Sequence, residues 1–172
     1  IKPGTDGALF MALMQVLIAE GRIDKPFLQR FTNAPQLVVL DEGEREGLFA
    51  FDPAAGPPGD GRNPHNKLAW DLASQGVVQA YPQGVEDGRE LALEGHYTLA
   101  DGTRVAPAFQ LLRDRVAETT PEWAAQITGI PADRIRQLAR ELGETALHQA
   151  FELPNPWTDA WGKKHPTTQG RP

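Results

Sequence analysis

The chain has 172 residues and a formal net charge of −6, with 17 Lys and Arg against 23 Asp and Glu. This acidic balance, without any basic run, argues against a surface that binds nucleic acid. The longest near-continuous apolar stretch, residues 8–19, is interrupted by Gln15 and is shorter than the roughly 20 residues that a bilayer-spanning helix needs. The sequence has no cysteine, which excludes thiolate catalysis, disulfides and thiolate-bound metal centres within these residues.

The first predicted element is a helix over about residues 6–20. Apolar side chains recur at helical spacing on one face and continue on its flanks, so we expect this helix to be covered on most sides. Thr5 or Asp6 is a candidate N-cap, and Gly21 suits the position just after the helix.

A second, shorter helix is predicted directly afterwards. Asp24 is placed to cap its first turn, because an Asp side chain there can accept a hydrogen bond from a backbone amide. The apolar residues that follow predict its buried face: Phe27, Leu28 and Phe31.

The pattern loosens between the second helix and about residue 106. Short strands are expected at residues 37–40 and 48–51. The density of Pro and Gly between Asp52 and Lys67 predicts a surface loop. In GHYTLADGTRVAP, alternating side chains around Asp101-Gly102 predict a β-hairpin with a type I′ turn, in which both central residues have positive φ.

The last third of the chain is predicted to be helical again. One helix is expected over residues 108–116, and Thr120-Pro121 provides the cap and first helical residue of the next. A third helix begins at Pro131 and is expected to end near Gly143. Residues 146–153 are then predicted to form one strand, and the tail beyond them shows no period.

Most polar side chains of the sequence do not follow a known catalytic or metal-binding pattern. Ser74 lacks the flanking glycines of a nucleophile elbow. The acidic run at residues 41–46 is interpreted as a solvated turn, with a metal-binding role as the alternative. Trp157 and Trp161 are interpreted as packing residues, or else as a surface for a partner. The histidines lack metal-ligand spacing and are expected at the surface or in loops: His65, His96, His148 and His165. No catalytic residue and no metal ligand is assigned.

The PGTD turn at the head of the first helix is a candidate anion site. Gly4 and Thr5 lead into the helix, whose first amide groups point outward at the positive end of the helix dipole. Asp6 fits such a site only if its carboxylate accepts hydrogen bonds from another donor, such as a guanine or a ribose. The alternative is a plain N-cap without a ligand.

Two motifs, in this order, carry a resemblance to a known family. They are PGTDGALFMALMQVLIAEGRIDKPFLQRFTN at residues 3–33 and TPEWAAQITGIPADRIRQLAREL at residues 120–142. Both resemble segments of the large catalytic subunit of the molybdopterin oxidoreductases, the dimethyl sulfoxide reductase family. The resemblance implies an α/β fold: a fragment of a dinucleotide-binding-like, Rossmann-related domain with helices at both ends. Residues 1–145 would belong to that domain, with a loop-rich subfamily insertion containing a β-hairpin at about 34–118, and residues 146–172 would connect to the next domain.

The same resemblance implies a cofactor and partners. Gly4, Thr5 and Asp6 would lie against the nucleotide end of a molybdopterin guanine dinucleotide that carries molybdenum or tungsten. The parent subunit would perform two-electron redox chemistry, on a sulfur oxyanion in the narrower resemblance, and would hold an iron–sulfur cluster outside this fragment. The implied partners are an iron–sulfur electron-transfer subunit and the rest of the chain's own subunit, without nucleic acid or membrane insertion. A cytoplasmic location is expected, with the periplasm as the alternative.

A competing interpretation is a protein-interaction module that has no cofactor. It would use the exposed loop at residues 52–67 and the Trp157/Trp161 pair. Ile1-Lys2 does not begin with an initiator Met and has the character of a buried strand end, so we expect an internal fragment that is inactive by itself.

Overall fold

The computed structural model describes residues 1–52, 67–80, 89–160 and 162–170. Within these ranges the helices are α1 (Asp6–Ala19), α2 (Lys25–Phe31), α3 (Ala108–Val116), α4 (Pro121–Thr128) and α5 (Ala132–His148). The strands are β1 (Leu37–Val39), β2 (Leu68–Asp71), β3 (Gly76–Gln79), β4 (Tyr97–Thr98), β5 (Arg104–Pro107), β6 (Phe151–Leu153), β7 (Trp157–Thr158), β8 (Lys164–His165) and β9 (Thr168–Gly170). The chain forms two compact units, Ile1–Ile23 with Val116–Pro172, and Asp24–Arg115. Most of the predicted loop between Asp52 and Lys67 lies outside the described residues.

The first unit is built around α1, α4 and α5. The first predicted helix is confirmed, and Gly21 follows it with a φ of 67°. One strip of α1 meets α4 and α5, most of its other apolar side chains are partly buried, and Phe10 stays 60% exposed. The buried side chains shared by the three helices are Ala12, Leu13, Val16, Ala124, Ile135 and Ala139.

Helix α5 is longer than predicted. It passes through Gly143 and ends at His148, so the single strand predicted over residues 146–153 is wrong. Gly143 is buried, and a Cβ added there would lie 2.8 Å from Leu17 Cδ2 and 3.1 Å from Arg22 Cβ. This glycine lets α5 approach its neighbours closely and does not end the helix.

The tail after α5 carries two small antiparallel sheets, β6 with β9 and β7 with β8. The expectation of a tail without regular structure is therefore wrong. Gly162 turns the chain between β7 and β8 with a φ of 83°, and its amide donates to Asp159 O at 3.0 Å. A short hairpin of this kind depends on its turn, which a search for long periodic segments overlooks.

The second unit holds a three-stranded sheet, with β5 between β1 and β4, and a two-stranded sheet of β2 and β3. Strand β1 confirms the strand predicted at residues 37–40. The strand predicted at residues 48–51 is not formed as a continuous strand: Phe49 makes an isolated bridge to β1, and Phe51 makes another to Lys67. The apolar core here includes Leu37, Val39, Ala50 and Val105.

The hairpin predicted around Asp101-Gly102 is confirmed, but its turn type is not. Gly102 has a φ of 88°, whereas Asp101 lacks the positive φ that a type I′ turn requires. The Gly102 amide donates to Leu99 O at 2.9 Å, and Asp101 Oδ1 accepts from the Thr103 amide at 3.0 Å. These bonds build a three-residue loop that ends in a left-handed glycine.

Helix α2 begins at its predicted cap but does not bury its predicted face. Asp24 Oδ1 accepts from the Phe27 amide at 3.0 Å. Phe27 and Phe31 are 53% and 71% exposed, so the buried face was wrongly assigned. It is instead Gln29 that reaches across the unit, where its Nε2 donates to Leu91 O at 2.6 Å.

The strand pairs of the described residues are all antiparallel. Helices lie at both ends of the region that precedes residue 149. Membership in a Rossmann-related domain and the boundaries at residues 34–118 and 145 stay predictions.

Candidate functional site

The PGTD turn is fixed at Lys2 and at Thr5. Thr5 Oγ1 donates to Lys2 O at 2.6 Å, and the Lys2 amide donates to Thr128 O at 3.1 Å. Gly4 has a φ of 77°, a left-handed conformation that glycine adopts without the steric penalty of a Cβ. The turn therefore brings Gly4, Thr5 and Asp6 together at the start of α1.

Thr5 occupies the N-cap position but does not cap α1. Its hydroxyl bonds to the preceding turn, and no side chain accepts from the first helical amides. Asp6 is already the first helical residue, so Thr5 is the N-cap by position, although its side chain makes no capping hydrogen bond. Within the described ranges, the amides of Asp6, Gly7 and Ala8 have no hydrogen-bond acceptor.

The space around these amides is open. Gly4, Asp6 and Gly7 are exposed, and a Cβ added at either glycine would meet no atom within 4 Å. Three free donors at the positive end of a 14-residue helix suit a phosphate group. The Asp6 carboxylate would repel that anion unless it faces a separate hydrogen-bond donor of the same ligand.

The other candidate residues form no cluster with the turn or with each other. His96 and His148 are exposed as predicted, His165 is partly buried, and His65 lies outside the described residues. Ser74 is exposed in the turn between β2 and β3. Among the residues that the structure describes, no group of three or more His, Asp or Glu side chains is placed to hold a metal ion.

The acidic run forms an exposed turn, as predicted. Asp41 accepts from the Arg104 amide at 2.8 Å and from Arg104 Nε at 2.6 Å. The backbone hydrogen bond first, and then the guanidinium, hold the pKa of Asp41 below its ordinary value. This carboxylate therefore anchors the turn to β5.

A packed trio that sequence spacing did not reveal lies on the β7–β8 hairpin. The rings of Trp157 and His165 stack with centroids 4.4 Å apart, and His165 Nε2 lies 3.0 Å from Asp159 Oδ2. Trp157 packs on His165 within the hairpin, but its side chain stays 47% exposed, and Trp161 lies outside the described residues. Gly162 could have indicated this pairing from the sequence, because a turn at Gly162 places Trp157 opposite His165.

An ion-pair cluster lies just beyond the C-terminal end of α1. Glu20 accepts from Arg140 Nη2 at 2.7 Å and from Arg22 Nε at 3.0 Å, and Arg22 Nη1 lies 3.5 Å from Glu144 Oε2. The hydrogen bond from Arg140 is the main cause that lowers the pKa of Glu20. An open cavity of about 410 Å³ beside them is lined by Arg22, Arg140, Glu141, Glu144, Thr145 and Gln149. Since both arginines already face carboxylates, this cavity does not offer the free positive charge that an anion would need.

Replacing Arg140 by Met should raise the pKa of Glu20 toward its ordinary value of 4.5. The folded pKa lies below the unfolded one, so this interaction stabilises the fold above pH 4.5 and is lost as the pH falls through the lowered pKa. Carboxyl NMR titration measures the change directly. Arg134→Met is the control, because Arg134 bonds to the neutral Gln137 side chain; an unchanged Glu20 titration in Arg140→Met would contradict the assignment.

The sequence is similar to subunits of several oxidoreductases. It is 46% identical over 173 aligned residues to a sulfite dehydrogenase subunit of Allochromatium vinosum, across 100% of this chain and 17% of that protein. It is 35% identical over 167 residues to the alpha subunit of perchlorate reductase from Dechloromonas aromatica, across 81% of this chain and 18% of that protein. Dimethyl sulfoxide reductase DmsA of Escherichia coli is 33% identical over 145 residues, across 84% of this chain and 11% of that protein. No family model matches the chain.

The chain belongs to the dimethyl sulfoxide reductase family of molybdopterin oxidoreductases. The resemblance carried by the two motifs is confirmed. The 172-residue chain spans 17%, 18% and 11% of the lengths of these three relatives, in the order given above. In the described part of the chain, no helix has the length and apolar character to cross a membrane.

Proposed function

We propose that this chain is part of the catalytic subunit of a molybdenum or tungsten oxidoreductase, in which Gly4, Thr5 and Asp6 anchor the guanine end of a molybdopterin guanine dinucleotide. The observation that carries the proposal is the open first turn of α1, whose three amides have no acceptor in the described ranges. When bound, the cofactor supplies the two-electron redox chemistry. The residues of this chain hold it in position.

The donor set fits the nucleotide part of such a cofactor. The amides of Asp6, Gly7 and Ala8 suit the negatively charged pyrophosphate, because they lie at the positive end of α1. The Asp6 carboxylate suits the N–H donors of guanine or a ribose hydroxyl, and these hydrogen bonds would offset its repulsion of the pyrophosphate. Gly4 keeps the turn free of side-chain atoms on the open side.

A sulfur oxyanion is the substrate class that we propose for the parent enzyme. The sulfite dehydrogenase subunit of Allochromatium vinosum aligns with the whole chain, whereas the perchlorate reductase subunit aligns with 81% of the chain at lower identity. The proposed partners are the rest of the same subunit, which would hold an iron–sulfur cluster, and an iron–sulfur electron-transfer subunit. The 172-residue chain alone is proposed to be inactive.

Replacing Asp6 by Ala in the full-length subunit should lower the amount of bound guanine dinucleotide. The substitution removes a charged acceptor, and the loss of such a hydrogen bond weakens binding by about tenfold or more. The measurement is the guanine nucleotide released from the denatured, purified enzyme, per mole of protein.

Asp133→Ala is the matched control, because Asp133 is also an exposed acidic residue in the first turn of a helix. Equal nucleotide content in the wild type and in Asp6→Ala would remove Asp6 from the site. The alternative function, an interaction module that uses Trp157, requires that the full-length protein contain no guanine nucleotide at all. The exposed Trp157 ring is the observation in favour of that alternative.

A further inference from the structure

We infer that Thr128 and Gly129, at the C-terminal end of α4, position the Lys2–Thr5 turn and thereby keep the first amides of α1 available. This inference rests on the proposed function of the turn, but the contacts that carry it belong to α4. Thr128 and Gly129 would be positioning residues that do not touch the cofactor. They act through Lys2.

The contact between the two segments is a backbone hydrogen bond. The Lys2 amide donates to Thr128 O at 3.1 Å. That carbonyl is one of the last four of α4, which have no partner within the helix and are free to accept from another segment. The Lys2 carbonyl in turn accepts from Thr5 Oγ1 at 2.6 Å, so Lys2 joins Thr128 on one side to Thr5 on the other.

The Thr128 side chain fixes the orientation of this carbonyl. Thr128 is 1% exposed, and its hydroxyl donates to Ala124 O at 2.8 Å while it accepts from the Ile130 amide at 3.1 Å. One hydroxyl thus ties the last turn of α4 to the chain that follows it. Gly129 completes the helix end with a φ of 76°, and its amide donates to Ala125 O at 3.0 Å.

The arrangement also places the two sequence motifs in contact. Thr128 and Gly129 lie within the segment at residues 120–142, and Lys2 immediately precedes the segment at residues 3–33. The side chain of Lys2 extends past Gly129, where an added Cβ would lie 3.5 Å from Lys2 Cε. The second motif therefore supports the first through the position of its backbone.

Because of this arrangement, the Thr5 side chain does not cap α1. Because the Thr5 hydroxyl is committed to Lys2 O, it does not satisfy the first amides of α1. If Lys2 were released from Thr128, its carbonyl could rotate away and the Thr5 hydroxyl could turn back onto the helix as an ordinary N-cap. The hydrogen bond from Lys2 to Thr128 thus favours the open state of the turn.

The test compares Thr128→Val, Thr128→Ser and Thr120→Val in the full-length subunit. Val removes the hydroxyl with little change in shape, and Ser restores it. Thr120 provides the matched control at the other end of α4, where its hydroxyl accepts from the Trp123 amide at 3.2 Å without contacting Lys2. Hydrogen–deuterium exchange of the Lys2 amide, read from overlapping peptides, is the readout.

Thr128→Val should speed exchange at Lys2 by about tenfold, because the amide loses a well-oriented acceptor. Thr128→Ser should restore slow exchange, and Thr120→Val should leave it unchanged. The inference is overturned if Thr128→Val leaves Lys2 exchange unaltered, or if Thr120→Val raises it equally. The guanine nucleotide content of Asp6→Ala tests the proposed function separately. If Thr128→Val speeds exchange of the Lys2 amide but Asp6→Ala keeps its full nucleotide content, the role of Asp6 in the proposed function is refuted and the positioning role of Thr128 is retained.

Discussion

Replacing Ile135 by Ala should lower the free energy of unfolding by about 3 kcal/mol, within the range observed when a buried Ile is truncated. Ile135 is 0% exposed and lies in the cluster where α1, α4 and α5 meet. Truncation removes apolar contacts and leaves a cavity that three packed helices cannot easily close. Urea unfolding followed by circular dichroism measures the loss.

Leu142→Ala provides the control for this prediction. Leu142 lies on the same helix but is 45% exposed, so its truncation should cost about 1 kcal/mol or less because much of its surface is already hydrated. Similar losses for the two variants would mean that Ile135 does not lie at the centre of the core. The contrast also tests the packing of α5, since Ile135 is buried and Leu142 is exposed two turns further along the same helix.

Helix starts could be predicted because their signals are local. Asp24 caps α2 through the Phe27 amide, and Thr120 caps α4 through the Trp123 amide, as their positions before Pro-containing first turns indicate. The hairpin at Asp101-Gly102 was found for the same reason. A cap or a tight turn depends on a few neighbouring residues, which the sequence shows directly.

Tertiary packing decided the features that could not be predicted. Gly143 is the kind of residue that often ends a helix, but α5 continues through it. The side chains of Leu17, near the end of α1, and Arg22, in the turn after it, lie close to Gly143. The strand pair β2–β3 was not predicted, because the residue with positive φ in its turn is Gln75 and not a glycine. The turn is stabilised by the buried Asp71. Asp71 Oδ2 accepts from the Ser74 amide at 3.0 Å, a contact that periodicity does not reveal.

The position of the candidate site was predicted from the sequence, but the contacts that hold the turn in place were not. The PGTD composition indicated outward-facing amides at the start of α1. It gave no sign that the Thr5 hydroxyl bonds to Lys2 O instead of capping, or that Thr128, more than a hundred residues away in the chain, accepts from Lys2. Such contacts form between segments that are distant in sequence, so a single sequence cannot show them.

Gly143→Val should lower the free energy of unfolding by about 2 to 3 kcal/mol, because overpacking of a filled interior forces neighbours to shift. The first added carbon would already lie 2.8 Å from Leu17 Cδ2 and 3.1 Å from Arg22 Cβ. Gly143→Ala should be much milder, since its gain of about 1 kcal/mol in helix propensity offsets part of the crowding. Ala146→Val, at an exposed position of the same helix, controls for the lower helix propensity of Val and should cost about 0.5 kcal/mol. If the loss for Gly143→Val in urea unfolding exceeds that for Gly143→Ala by clearly more than the cost of Ala146→Val, close packing is its role; a difference no larger than that cost would contradict it.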